Sequence, residues 1–111
     1  MDPLREYAQF WLERTAVRLG HPNWHKLNKY WIENIESGRP GFAAQLRLVA
    51  LDALAGEDAA WAEKGVAALA VVGRPEDLRR LAAYAERRRS SGTGTHARTA
   101  MFEIEHRVAA T

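Results

Sequence analysis

The chain has 111 residues, 47% of them hydrophobic and 27% charged, with a net charge of +2, a composition that suits one globular domain able to bury about two-thirds of its unfolded surface. It has no cysteine, which excludes disulfides and thiolate chemistry and fits a reducing compartment, so the cytoplasm is the expected location. No run of about 18 apolar residues exists to form a membrane span, and the charged, helix-starting residues from Met1 to Glu6 do not read as a secretory signal.

Six helices are expected, with almost no β signal. Asp2 can cap the first, Pro3 suits its first turn and Gly20 ends it. Leu4, Ala8, Trp11, Leu12, Thr15 and Leu19 share one face, while Phe10 and Val17 fall on another, between Glu6 and Arg14. The second helix runs from near Pro22 to Gly38. Trp24, Leu27, Tyr30, Trp31 and Ile35 form its broad apolar stripe, opposite His25, Lys26, Lys29, Glu33 and Glu36. The third, from Phe42 to Leu54, is apolar nearly all round, broken only by Gln45, Arg47 and Asp52. The fourth, from Asp58 to Val72, repeats this in alanine. Helices apolar on most faces need neighbours on most faces, so these two should be the central pair.

Gly65 interrupts the fourth helix, at a cost of roughly 1 kcal/mol relative to alanine, and is expected where two helices cross closely, against Trp61 or the third helix. Gly73 is a ready left-handed C-cap, and Pro75 opens a fifth helix running to Arg89. Its stripe is Leu78, Leu81, Ala82 and Ala85, against Arg79, Arg80, Glu86 and Arg87. The segment from Ser90 to Gly94 reads as a flexible loop and Thr95 as the cap of a last helix with Ala97, Ala100, Met101, Ile104 and Val108 inward. Phe102 points elsewhere, towards Arg98, Glu105 and His106.

The punctuation Gly38-Arg39-Pro40 returns 35 residues later as Gly73-Arg74-Pro75. The same shift lays Leu46 on Leu81, Ala62 on Ala97, Gly65 on Ala100, Val66 on Met101 and Leu69 on Ile104. Such a period is the mark of stacked helical repeats. On the stretches Gly65 to Gly73, Pro75 to Leu78 and Ala97 to Ile104, the chain resembles the short bacterial HEAT-like helical repeats, over roughly residues 40–108. The resemblance implies an all-α array of three stacked antiparallel hairpins, residues 2–37, 40–73 and 75–110. It brings no catalytic motif with it.

No phosphate loop, nucleophile elbow or His-Glu-x-x-His appears, and no enzyme activity is expected. His21 and His25 need not share a face, and Glu103 with His106 is a single Glu-x-x-His, so no metal and no cofactor is expected. The segments 1–40, 41–73 and 74–111 carry +1, −2 and +3, and all eight basic residues of the last are arginine. Arg87, Arg88 and Arg89 suit the last turn of a helix, where cations meet the carbonyl end of the dipole. With Arg79 and Arg80 they also make a candidate nucleic-acid contact, the alternative function. The first function expected is a small protein-binding module, an adaptor or a regulatory or assembly subunit. Its candidate interface is Phe10, Val17, Trp24, Tyr30, Trp31 and Phe102, and it would dock another protein or self-associate through the terminal helices. A third, lesser alternative is a small helical enzyme or ligand carrier with an aromatic-lined pocket between the first two hairpins.

Overall fold

A helix built almost wholly from alanine and other apolar residues is stable in water only when neighbours cover it all round. The fourth helix, α4 (Ala59–Val72), meets that condition. Its run from Gly65 to Ala70 is buried without interruption, and it packs on α1 (Pro3–Arg14), α2 (Trp24–Gly38), α3 (Phe42–Ala55) and α6 (Thr93–Ala110). The computed structural model describes residues 3–14, 24–88 and 93–110, without the side chains of 24–25, 93–95 and 108–110. Its regular structure is all helical: six α-helices, no strand among the described residues, and a 3-10 turn (Pro75–Asp77) ahead of α5 (Leu78–Arg87). No helix among them is long and apolar enough to cross a membrane. The expectations placed on Asp2, Thr15, Val17, Leu19, Gly20, His21, Pro22, Arg89, Ser90, Ser91 and Gly92, and on the side chains of Trp24, His25, Thr95 and Val108, lie outside this description.

The most extensive helix pair is α3 with α4. Only Gly56, Glu57 and Asp58 join them, a link that short leaving packed neighbours antiparallel. Asp58 caps α4 by accepting the Trp61 N–H at 3.2 Å. The next pair is α5 with α6, and α6 also lies along α4, which stacks one pair on the other. The first two helices are arranged differently. α1 makes its main contact with α3, and α2 leans on both α3 and α4. Among the described residues, the expected hairpin of residues 2–37 is thus two helices that each dock on the central pair. Phe42 fastens α1 there: it is fully buried, and Tyr7 and Trp11 meet its ring edge-on at 5.6 and 6.0 Å.

The five small or apolar pairs that the 35-residue shift superposes lie inward. Leu46 and Leu81, Ala62 and Ala97, Gly65 and Ala100, and Leu69 and Ile104 are buried; Val66 is buried and Met101 half-buried.

Four local expectations are corrected. On α2 the aromatic stripe faces solvent, and the edge against the body is Asn28 and Ile32, with Ile35 and Glu36 half-buried. Large rings dominate a helical wheel, yet α2 rests on the body along a narrow edge that these positions suffice to fill. On α5 Ala82 is exposed and Tyr84 is buried; a methyl gains little from burial, whereas a tyrosine ring removes roughly 150–250 Å² from water. Gly73 is extended (φ −65°, ψ 155°), not left-handed. It is required by space, because a Cβ there would run into the Leu69 carbonyl oxygen and the Ile104 side chain. Among the described residues the left-handed glycine is Gly41 at φ 95°, the N-cap of α3. Finally, α6 begins at Thr93, two residues ahead of the expected cap at Thr95.

Candidate functional site

Because its core edge is Asn28 and Ile32, α2 turns Leu27, Tyr30 and Trp31 outward, at 53%, 60% and 54% exposure. They stand at i, i+3 and i+4, one continuous stripe, with Tyr30 and Trp31 in edge-to-face contact at 5.6 Å. Phe10 on α1 and Phe102 on α6 are also exposed, at 51% and 62%. Each is partly covered by its own i+4 neighbour. The Arg14 guanidinium lies 4.5 Å over the Phe10 ring, and His106 stacks on Phe102 at 5.8 Å. The four candidate interface residues whose side chains are described do not form one patch. Tyr30 and Trp31 share a stripe, and Phe10 and Phe102 sit on helices with no extensive contact with α2 or each other. Leu27, which completes the stripe, was placed inward by the sequence pattern.

The candidate arginines are drawn into the fold to different degrees. Arg87 reaches across to α3 and donates to the Leu54 carbonyl at 3.2 Å, satisfying a carbonyl of that helix's last turn. Arg87 and Arg88 both lie within 6 Å of the Tyr84 ring centre. Arg80 and Arg87 border a hollow of about 430 Å³ over Leu51, Leu54, Ala55 and Ala83. Arg79 is exposed. Replacing Arg87, Arg88 and Arg89 together with glutamine is expected to lower the melting temperature by a few degrees, more at low salt than at high. One carbonyl bond and a helix-end charge together contribute about 1–2 kcal/mol, part of it screened by salt. Thermal melts at two ionic strengths measure this; an unchanged melt together with lost partner or nucleic-acid binding would overturn the structural role of these arginines.

A groove of about 720 Å³ lies between α2 and the α3–α4–α6 face. Its apolar lining is Ile32, Ala43, Ala44, Val71 and Val72, and Lys29, Glu33, Glu36, Arg47, Arg74 and Arg107 surround that lining. No aromatic residue is among its lining residues, so this is an aliphatic groove with charged walls and not the aromatic-lined pocket of the third expectation.

Most of its charges serve the fold. Glu36 accepts the backbone N–H groups of Gly41 at 2.9 Å and Ala43 at 2.7 Å, capping α3 from the preceding helix. Those bonds, Ala43 foremost, hold its carboxyl below the usual carboxylate range. Arg47 grips Asp77 with two bonds of 2.6 and 2.7 Å and reaches Glu76 at 3.4 Å. Arg107 donates to the carbonyls of Ala70 and Gly73 at the end of α4, the second at 2.9 Å. Burial pushes its guanidinium pKa down, and Glu103 on the same helix opposes that through space. Arg74 is the looser group, with its guanidinium 3.9 Å from Glu76 and its side chain 62% exposed.

His106 is taken up by Phe102, and no group of three or more metal-ligating side chains converges among the described residues. No protein-family model, curated protein or solved structure matches this chain, so the reading of its function rests on its own geometry. That reading adds Leu27 and the groove charges Arg74 and Arg107 to the residues of interest. For Leu27 the signal was present, as its i, i+3, i+4 spacing with Tyr30 and Trp31. For Arg107 no local signal existed, since its partners lie more than thirty residues away.

Proposed function

We propose that this chain is a small protein-binding helical module of the HEAT-like repeat kind, an adaptor or assembly subunit without catalytic activity, and that α2 is its contact element. The outward stripe of Leu27, Tyr30 and Trp31 carries the reading. Burial of repeat-related positions in the stacked pairs α3–α4 and α5–α6 supports the repeat architecture behind it.

Magnitude selects the kind of partner. Three large side chains, each about half exposed, offer roughly 300 Å² of surface. Two such stripes facing each other fall short of the roughly 1,200 Å² of a stable interface. A partner that wraps α2 in an apolar groove, reading side chains at i, i+3 and i+4, buries more of the helix and fits better. Phosphate-backbone contact through Arg79, Arg80, Arg87, Arg88 and Arg89 has less support, since Arg87 is engaged with Leu54.

Pull-down from native extract with wild type and with Leu27→Ser/Trp31→Ser, then titration of the purified partner, tests the proposal. The variant is expected to bind at least tenfold more weakly, about 1.4 kcal/mol, while melting close to wild type because both side chains are already exposed. Equal affinity in the variant would remove α2 from the role. Light scattering on the same two proteins completes the test: a wild-type dimer abolished in the variant would make the occupant a second copy, and a dimer lost only in Phe10→Ser would move the contact to α1.

A further inference from the structure

α2 has two working flanks, and its aromatic stripe occupies only one. On the other flank Lys29, Ile32, Glu33, Glu36 and Ser37 form one wall of the 720 Å³ groove, whose opposite wall is Ala43, Ala44 and Arg47 of α3, Val71 and Val72 of α4, with Arg74 and Arg107. The volume lies inside the roughly 300–1,000 Å³ typical of small-molecule sites. Two alanines side by side on α3 keep one wall low, and Ile32, Val71 and Val72 make the lining aliphatic.

The charges around this lining are not equally satisfied. Arg47 is matched by the Asp77 carboxylate, Lys29 stands 3.9 Å from Glu33, and Glu36 is bound by two backbone N–H groups. Arg107 differs. Its bonds go to two carbonyl oxygens, which hold the guanidinium in place with partial charges, not with a full anion. A guanidinium has five N–H donors in a fork that matches a carboxylate. Arg74, exposed and only loosely held by Glu76, stands in the same lining. Positive charge is therefore least closely matched where Arg74 and Arg107 line the groove beside an aliphatic surface. Glu76 holds Arg74 only at 3.9 Å, and Glu103 acts on Arg107 through space.

We propose that this groove binds an amphipathic carboxylate, its aliphatic body lying over Ile32, Ala43, Ala44, Val71 and Val72 and its carboxylate held by Arg107 and Arg74. The class of ligand follows from the lining: an aliphatic surface with no ring to stack on favours a chain over an aromatic acid, and the two guanidiniums require an anionic head. Neither the aromatic stripe nor a protein partner is needed for this site.

The probe is decanoate, below its micelle concentration, with decanol and acetate as controls lacking the charge or the chain. Isothermal titration gives the affinity and amide chemical shifts give the place. Decanoate should bind one to one, at least tenfold tighter than decanol or acetate, and shift the amides of Ala43, Ala44, Val71 and Val72. Arg74→Gln should weaken it about tenfold, and Ala44→Trp, which fills the groove from an exposed position, should abolish it. Arg107 also binds the end of α4, so these two variants carry the test, and both should melt within a few degrees of wild type. Leu27→Ser/Trp31→Ser should leave decanoate binding unchanged. Equal binding of decanol, binding that survives Ala44→Trp, shifts confined to Leu27, Tyr30 and Trp31, or no binding at all would each overturn the proposal.

Discussion

Asp77→Ala is expected to lower stability by about 3–5 kcal/mol, the loss that follows when one partner of a buried ion pair is removed. Asp77 is 2% exposed and Arg47 17% exposed at their side chains, and they are joined by two short bonds across 30 positions of sequence. Removing the carboxylate strands a guanidinium that the fold has taken out of water. It also leaves the Arg74 N–H, which Asp77 accepts at 2.9 Å, without its partner at the turn before α5. Glu76, 3.4 Å from Arg47, gives partial compensation and places the loss towards the lower end of the range. Urea unfolding of Asp77→Ala, Arg47→Met and the double variant measures the coupling. The double should be more stable than the sum of the singles predicts, by about 1–3 kcal/mol; strict additivity would mean that the pair does not act as one.

The same pair sets an acid limit. Burial by itself would raise the Asp77 carboxyl, but the bonds from Arg47 and from the Arg74 N–H outweigh it and hold the group below the usual carboxylate range. A carboxyl whose folded value lies below its unfolded one contributes fully above the unfolded value, near pH 4, and loses that contribution as pH falls through the folded value. Glu36, lowered by its bonds to the start of α3, acts in the same direction and the same window. Wild type should therefore keep its stability from neutral pH down to about 4 and lose it below. In Asp77→Ala the acid limb should be shallower.

The second large effect is expected at Gly65. A Cβ on this residue would sit 2.7 Å from the Ala50 carbonyl oxygen and 3.2 Å from the Ala53 Cβ, both on α3. The obstacle is largely backbone, so it cannot rotate aside. Gly65→Leu should cost about 3 kcal/mol through overpacking, with α3 and α4 forced apart along their most extensive contact. Gly65→Ala is the sharper probe, because alanine gains about 1 kcal/mol of helix propensity. It should still melt below wild type, the steric cost exceeding that gain. A raised melting temperature in the alanine variant would show that the two helices separate at little cost. The crossing expected from a mid-helix glycine is present, and its partner is α3, not Trp61.

The features legible in the sequence were those written in local periodicity. α3 and α4 are apolar on nearly every face, and an all-round apolar helix has only one place to go, so their central position follows without coordinates. The inward face of Ala97, Ala100 and Ile104 was readable for the same reason. The orientation of α2 was not. Asn28 and Ile32 against Tyr30 and Trp31 is a choice between two stripes of one helix, and the neighbours decided it: α3 and α4 leave room for a narrow aliphatic edge, and the rings stay in solvent. Tertiary structure alone also brought Asp77 to Arg47, Glu36 to the start of α3, and Arg107 to the end of α4. Each joins a charge to a group that another segment's fold leaves unsatisfied, and no spacing in one helix encodes where a different helix will end. The groove exists only because those segments meet, with small side chains on one wall and charges from four parts of the chain around them.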